Sequence, residues 1–354
     1  MNRTVQRPRR RAPQPEFVRY IVIVVLAVAS LLTGCEKHRP AIQLSGVTMG
    51  TQYSITVVNP GETEQEALET SVDALLGSIN AAMSTYDPES ELSLMNQNSS
   101  TEWIKISDSL HTILQAAIAV AEASDGAFDV TVGPLVNLWG FGPDRGASVV
   151  PDPSAVANAS EQVGTDKFEI KANPSALRKR HPEVYIDLSG IAKGYAVDRL
   201  ARFLQEQGYE DFLVDIGGEL RAAGLNPNGR AWRIGIENPT AKGREIGQTI
   251  VLTNTGLASS GNYRNYFESD GVRYGHTIDP KTGAPTQHRL ASVTVLHSTA
   301  MLADAWATAL MSMGFGAGLK VANEHELAAL FFVAEADNWN SHATRAYDIA
   351  VGSN

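Results

Sequence analysis

Apolar residues return every three or four positions in several segments of the chain, which is the period of an amphipathic helix. The spacing predicts helices over residues 62–83, 107–124, 195–207 and 299–313. The last of these is apolar on every face except at Asp304 and Thr308. A helix that is apolar all round is typical of a buried element.

Other segments alternate between apolar and polar positions, or form short apolar runs, and these predict strands. The clearest alternation lies between Gly50 and Val58. Further predicted strands cover residues 184–186, 212–216, 220–223, 232–237, 248–253, 257–259, 273–278 and 291–296, and a last helix and strand are expected near 317–334. Residues 142–165 lack periodicity and predict a surface excursion or a helical insert. We therefore expect one α+β domain over residues 46–354.

The N-terminal segment as far as Cys35 predicts an export signal. Six arginines precede an apolar run at residues 21–32, which is too short to span a bilayer as a helix. The run ends in Leu32-Thr33-Gly34-Cys35, which resembles a bacterial lipobox. We predict a lipoprotein signal peptide at residues 1–34, lipidation of Cys35 and a tether at residues 35–45. A plain membrane anchor followed by a chance cysteine is the alternative.

Charge and cysteine content exclude several classes of function. The chain has 29 basic and 39 acidic side chains, and the predicted signal peptide carries six arginines and one glutamate, so 23 basic and 38 acidic side chains remain after its removal. The resulting net charge of −15 disfavours nucleic acid as a partner, so a phosphorylated ligand would need local cations or a metal. Cys35 is the only cysteine, which excludes a disulfide framework and a thiol nucleophile in the folded body.

The segment from Tyr185 to Asp198 combines a predicted strand, Asp187, two glycines, Lys193 and the start of a helix. Glycines let backbone N–H groups approach an anion, and a helix N-terminus adds partial positive charge. A phosphate site fits this pattern, although a Walker loop is absent. An ordinary connection with a surface lysine and a capping aspartate explains the same residues.

Two further positions carry candidate chemistry. Asp304 and Thr308 are four positions apart, so their oxygens share one helix face and would suit Mg²⁺. The alternative is that Asp304 pairs with an arginine or caps a neighbouring backbone. His276 lies in the strand predicted over 273–278, just before a Pro-Gly turn, where an imidazole would serve as a general base or would merely bond a neighbour.

Eight motifs occur in an order that resembles the ApbE family of FAD:protein FMN transferases. They lie between about Gly46 and Gly314 and include Gly50-Thr51, Ser84-Thr85-Tyr86 with Ser90 to Asn96, Gly126 to Leu135, Asp187 to Gly194, Asp215 to Gly218, Ala258 to Gly261, His276 to Pro280, and Ala303 to Thr308. The resemblance implies an α+β fold related to the T-fold, with a mixed or antiparallel sheet and packed helices. It also implies Mg²⁺-dependent transfer of FMN from FAD to a Ser or Thr hydroxyl of a target protein, with AMP released.

The resemblance also assigns residues. Positions that match FAD contacts of the family are Met49, Tyr86, Ala127, Phe128, Asp129, Asp187, Lys193 and Ile278. The implied metal ligands are Asp304, Thr308 and the carbonyl of Gly190, and the implied base is His276. Some relatives carry an acidic residue where this chain has Ala307, so a metal contact there would need the backbone or water.

Two other functions fit the same residues. An FAD pyrophosphatase would use water in place of the protein hydroxyl, and a non-catalytic flavin-binding lipoprotein would hold FAD without turnover. The resemblance implies acceptors among membrane redox subunits of the Rnf or sodium-pumping quinone reductase type. It also implies the periplasmic face of the inner membrane, with the outer membrane as the alternative.

Overall fold

The computed structural model describes residues 38–143, 149–239, 245–263, 265–335 and 338–352. The helices are α1 Gln65–Met83, α2 Glu91–Gln97, α3 Asp108–Ala123, α4 Gly133–Leu138, α5 Pro153–Ser160, α6 Ala192–Glu206, α7 Ala300–Glu324 and α8 Arg345–Val351. The first five strands are β1 Ala41–Thr48, β2 Thr51–Val58, β3 Ile104–Lys105, β4 Phe168–Lys171 and β5 Ala176–Lys179. Those that follow are β6 Phe212–Ile216, β7 Glu219–Ala223, β8 Trp232–Glu237, β9 Ile246–Leu252, β10 Thr255–Gly261, β11 Tyr266–Ser269, β12 Val272–Gly275, β13 Ile278–Asp279, β14 Ala284–Pro285, β15 Leu290–His297, β16 Ala328–Glu335 and β17 Asn338–Ala343.

An eight-stranded antiparallel sheet forms the centre, in the order β1-β2-β6-β7-β10-β15-β16-β17. Period-two alternation sends neighbouring residues of each strand to opposite faces. On β16, for example, Phe331 packs into the larger core with the helices, whereas Phe332 packs with Trp232 of the β8–β9 hairpin. Helices α6 and α7 thus cover one face of the sheet and the hairpin covers the other. The architecture confirms the predicted α+β class.

A third apolar cluster lies beside the sheet. It connects the region after Gly133 to the β11–β12 and β13–β14 hairpins. Leu135 and Trp139 of α4 pack with Ile278, and the Trp139 indole N–H donates to the Gly283 carbonyl at 2.8 Å. The region predicted as an excursion or insert contains helix α5, which contacts this cluster. Among the residues that the structure describes, no helix has the length and apolarity needed to cross a bilayer.

The structure corrects several predicted boundaries. Strand β1 begins at Ala41, inside the predicted tether of residues 35–45, and pairs with the whole of β2. The single strand predicted over 273–278 is two strands, because the chain turns away between Gly275 and Ile278. The helices predicted over 299–313 and from about 317 both form, and together they make up α7, which is kinked at Gly314 by a non-helical φ of 74°. The predicted strand at 184–186 is an extended segment with no ladder partner among the described strands.

Candidate functional site

Helices α6 and α7 meet at their N-termini, and this contact builds the centre of the site. A side chain at Gly194 would place its Cβ 2.3 Å from the carbonyl oxygen of Ala300, so only glycine permits the approach. Asp198 of α6 accepts hydrogen bonds from the backbone N–H groups of Ala300 at 3.0 Å and Met301 at 2.9 Å. The first turn of α7 is therefore fixed against α6, and Asp304 lies one turn further on.

Asp304 is buried in this contact, with 3% of its surface exposed. Its Oδ2 accepts a hydrogen bond from the Gly194 N–H at 3.0 Å. Burial raises the pKa of the Asp304 carboxyl, while the ammonium of Lys193 and the Gly194 hydrogen bond act in the opposite direction. A carboxylate held here is costly unless a cation compensates it.

Thr308 lies one turn after Asp304, as the spacing predicts, and its hydroxyl faces the glycine turn. Thr308 Oγ1 donates to the Gly190 carbonyl at 3.4 Å and lies 3.5 Å from the Ser260 hydroxyl. A Cβ at Gly190 would lie 3.1 Å from Thr308 Oγ1 and 3.2 Å from the Phe128 ring. Because Gly190 has no side chain, its carbonyl can lie close to the Thr308 hydroxyl.

Lys193 lies between two buried carboxyl groups. Its Nζ is 3.0 Å from Glu219 Oε1 and 3.9 Å from Asp304 Oδ1. Desolvation lowers the pKa of the Lys193 ammonium, but the two carboxylates outweigh it, so the net shift is upward. Burial raises the pKa of the Glu219 carboxyl to about 8. One ammonium therefore faces two carboxyl groups, which leaves a surplus of negative charge to be balanced by a proton or a bound cation.

Glu219 was not among the predicted site residues. It opens β7, is 3% exposed, and its Oε2 is buried without a hydrogen-bond partner in the described part of the chain. The signal in the sequence was an acidic residue at the head of the strand Glu-Leu-Arg-Ala-Ala, directly after the Gly217-Gly218 turn. The Asp215 to Gly218 motif ends one residue before Glu219 and therefore did not include it.

His276 lies close enough to this cluster for the Lys193 charge to affect it. Burial lowers the pKa of the His276 imidazole, and the positive charge of Lys193 lowers it further. His276 Nδ1 lies 3.2 Å from the Asn265 carbonyl oxygen, which can only accept, so Nδ1 carries the proton in this contact. In this tautomer Nε2 has a free lone pair at neutral pH, as a general base requires.

Four of the predicted flavin contacts lie on two segments that pack together. Ala127, Phe128 and Asp129 are buried after α3, and Asp129 accepts hydrogen bonds from the Thr131 backbone N–H at 2.8 Å and the Thr131 hydroxyl at 2.6 Å. Asp187 is 7% exposed, and its backbone N–H donates to the Val130 carbonyl at 2.7 Å. These contacts bring the segment after α3 alongside the Asp187–Gly194 turn.

The remaining predicted contacts lie on separate elements. Met49 occupies the β1–β2 turn with a left-handed φ of 48°, and the Gly217 N–H donates to the Gln52 carbonyl at 3.0 Å, which brings this turn near the head of β7. Tyr86 is 63% exposed in the loop before α2. Ile278 is buried with Trp139 rather than in the Asp304 cluster. Cys35 lies outside the described residues.

The oxygens around Gly190 are of the type that binds a hard cation. The Gly190 carbonyl, the Thr308 hydroxyl and the Asp304 carboxylate are the candidate ligands, and carbonyl and carboxylate oxygens suit Mg²⁺. Among the described residues, no group of three or more His, Cys, Asp or Glu side chains is placed to hold a metal. Any ion bound here would therefore take a mixed shell completed by water or by a ligand.

The predicted residues thus gather largely in one place. Lys193 contacts Asp304, and Thr308, one turn further along α7, contacts Gly190. Phe128 lies next to Gly190, and His276 is close enough to Lys193 for its charge to act on the imidazole. Such a cluster can hold an anionic group against a cation, with a base nearby.

Comparison with known proteins shows the family of this chain. The model of the ApbE family matches residues 49–331. An FAD:protein FMN transferase of Vibrio cholerae is 45% identical over 92% of this chain and 97% of its own length, and that of Haemophilus influenzae is 44% identical over 89% and 93%. The solved flavin transferase ApbE from Vibrio cholerae superposes with a TM-score of 0.81 at 43% identity, covering 88% of this chain and 99% of that one. The apo flavinyl transferase ApbE of Pseudomonas stutzeri gives 0.82 at 36% identity, covering 89% and 98%. The chain belongs to the ApbE family.

Proposed function

We propose that this protein is an FAD:protein FMN transferase. It moves FMN from FAD to a Ser or Thr hydroxyl of an acceptor protein and releases AMP, and it requires Mg²⁺. The observation that carries the proposal is the buried cluster of Lys193, Asp304, Thr308 and Gly190 with the His276 imidazole beside it. Similar proteins that carry this activity in their names support it.

The donor set and its charge fit Mg²⁺. Two buried carboxyl groups face a single ammonium, so a divalent cation near Asp304 would offset the surplus negative charge. Asp304, Thr308 and the Gly190 carbonyl would hold it. When bound, Mg²⁺ supplies positive charge against the pyrophosphate of FAD and against the charge that develops during transfer.

Lys193 and the glycine turn supply the remaining electrostatic support. The Lys193 ammonium remains protonated at neutral pH, since both carboxylates raise its pKa. With 28% of its side chain exposed, it is accessible to a ligand from the open side of the site. Preorganised charges of this kind stabilise a transferring phosphoryl group without reorganisation.

His276 handles the proton. Its Nε2 takes the proton of the incoming acceptor hydroxyl, while the hydroxyl oxygen forms a bond to the FMN-side phosphorus. The bond between that phosphorus and the oxygen bridging to AMP breaks, and AMP leaves with the electron pair. The products are the acceptor FMN phosphoester and AMP. A hydroxyl is a weak nucleophile until an adjacent base removes its proton, which is the reason for a base at this position.

Eight individual residues are proposed to contact FAD. Phe128 and Asp187 lie next to the Gly190 turn, and Met49 lies near the head of β7. Tyr86 presents an exposed ring that a planar ligand would cover. Ala127, Asp129, Lys193 and Ile278 complete the proposed set.

The proposals for the cellular location and for the acceptor protein rest on the sequence alone. We propose that Cys35 is lipidated and that the enzyme faces the periplasm from the inner membrane. Redox subunits of the Rnf or sodium-pumping quinone reductase type, which would carry a short Ser/Thr motif, are the proposed acceptors. The lipobox and the resemblance of the motifs support both statements.

The test is flavin transfer in a defined mixture. The protein lacking the predicted signal peptide is incubated with FAD, Mg²⁺ and an acceptor domain, and the acceptor is examined for fluorescence after denaturing electrophoresis. We expect a fluorescent acceptor band, and none when the acceptor Ser or Thr is replaced by Ala. Free FMN and AMP without acceptor labelling would identify a pyrophosphatase. FAD binding without any turnover would identify a flavin-holding protein.

A further inference from the structure

The segment Val184–Leu188 leads the chain into the site without support from a neighbouring strand. Val184, Ile186 and Leu188 are each at most 1% exposed, so the segment is buried. None of the strands among the described residues pairs with it. Backbone N–H and C=O groups in a buried segment need partners, because an unpaired one costs about as much as a lost hydrogen bond.

The Asn96 side chain provides these partners at Ile186. The Ile186 N–H donates to Asn96 Oδ1 at 2.8 Å, and Asn96 Nδ2 donates to the Ile186 carbonyl at 2.8 Å. One amide side chain therefore satisfies both backbone groups of Ile186, as a residue of an adjacent strand would. The next residue is Asp187, and Gly190 follows three positions later.

The backbone of Asn96 is in turn held by a buried lysine. Lys179 has no exposed surface, and its Nζ donates to the carbonyls of Asn96 at 2.9 Å, Asn98 at 2.8 Å and Pro182 at 3.2 Å. The three donors of the ammonium are thereby used. Lys179 thus links the end of α2, which carries Asn96, to the loop that precedes Val184.

We propose that Asn96, held by Lys179, is a positioning residue that places Asp187 and the Gly190 carbonyl for the flavin and the metal ion. Asn96 touches neither of them and acts through the backbone of Ile186. The inference rests on the proposed function, because it assumes that Asp187 contacts FAD and that Gly190 faces Mg²⁺. If Asn96 served only the stability of the fold, its loss would lower the unfolding midpoint and leave ligand affinity unchanged.

The experiment compares Asn96→Ala with Asn226→Ala. Asn226 makes bonds of the same kind outside the site: its Nδ2 donates to the Ala231 carbonyl at 3.2 Å, and its Oδ1 accepts from the Asn228 N–H at 2.9 Å. FAD affinity is measured by flavin fluorescence in the presence of Mg²⁺, at a temperature where all variants are folded. Amide hydrogen exchange is followed over residues 184–190 in the same samples.

We expect Asn96→Ala to raise the dissociation constant of FAD by about ten- to a hundred-fold, the range seen when an outer-shell partner of a metal site is removed. Exchange over residues 184–190 should accelerate. Asn226→Ala should leave both quantities at the wild-type value. Unchanged FAD affinity in Asn96→Ala would overturn the inference, and so would an equal loss in both variants.

Asn96→Asp covers the case in which the alanine variant does not fold. It keeps the acceptor for the Ile186 N–H but places an oxygen opposite the Ile186 carbonyl, so one bond becomes a repulsion. Weakened FAD binding supports the inference, and wild-type binding overturns it. Failure of the wild-type protein to bind FAD would instead count against the proposed function, which keeps the two outcomes separate.

Discussion

Replacement of Lys193 by Met tests the charge balance of the site most directly. Methionine keeps most of the aliphatic stem and removes the ammonium. Glu219 Oε1 lies 3.0 Å from that ammonium and Asp304 Oδ1 lies 3.9 Å from it, and both carboxylate side chains are only 4% exposed. The substitution would therefore leave two buried carboxyl groups without their cation.

The expected cost follows from burial. Removing one partner of a buried ion pair costs about 3–5 kcal/mol, because the remaining charge is left unpaired. Lys193 is itself 28% exposed, and a stranded carboxyl group can take up a proton. We therefore expect the lower end, about 3 kcal/mol, as the loss in free energy of unfolding.

Lys281 offers a matched control. Its Nζ lies 2.6 Å from Asp125 Oδ2, which is closer than the Lys193 contact, but the two side chains are 52% and 96% exposed. Solvent screens such a pair, and measured values for exposed pairs reach at most about 1 kcal/mol. Lys281→Met should therefore leave the unfolding midpoint close to that of the wild type.

The assay is urea unfolding of the metal-free protein, followed by far-ultraviolet circular dichroism. Lys193→Met should lower the midpoint well below that of Lys281→Met. Adding Glu219→Gln to Lys193→Met should recover part of the loss, since a neutral amide replaces a stranded carboxyl group. Equal midpoints for the two lysine variants would refute the reasoning, as they would mean that the site is solvated in solution.

Four other results are expected. His276→Asn should lower the rate of FMN transfer by about 10²- to 10⁴-fold with FAD affinity retained, and a wild-type rate would exclude His276 as the base. Because the pKa of His276 lies below its usual value of 6.5, wild-type kcat/KM should be level above that pH and fall in acid. The folded state raises the pKa of Glu219 from 4.5 to about 8, so its contribution to the stability of the metal-free protein is complete below pH 4.5 and is lost as the pH rises through about 8. Glu219→Gln should remove this loss of stability as the pH rises. A variant whose stability falls with pH as the wild type's does would contradict the assignment. Asp304→Ala should abolish Mg²⁺ binding in calorimetry, whereas exposed Asp125→Ala should not.

The long helices α1, α3, α6 and α7 were predictable because each has a local cause. The apolar stripe of α1 and the all-round apolar sequence before Gly314 require no knowledge of distant contacts, and both helices form. The start of α7 is also local, since the Thr299 hydroxyl accepts from the Leu302 N–H. The break at Gly314 has a local cause too, because its non-helical φ of 74° separates the two predicted helical segments of α7. His288 Nε2 contacts the Met311 carbonyl just before this kink.

The segment around Ile186 shows what local reasoning cannot decide. Its short apolar run predicts a strand, but whether such a segment joins a sheet depends on a partner elsewhere in the chain. Here the partner is the side chain of Asn96, which lies far away in sequence. Glu219 was missed for a related reason, since an acidic residue at a strand start is normally exposed and only the packing of α6 and α7 buries it.

The sequence alone determined the secondary-structure period, the residue types of the site and their order along the chain, because these are properties of neighbouring residues. It also determined the resemblance that implied the family. Only the tertiary structure decided which of these residues meet. The close approach of Gly194 to Ala300 brings Asp304 within reach of Lys193, and the fold of β7 adds Glu219 to the same pocket. Burial and charge balance arise from long-range packing, and no short pattern in the chain encodes them.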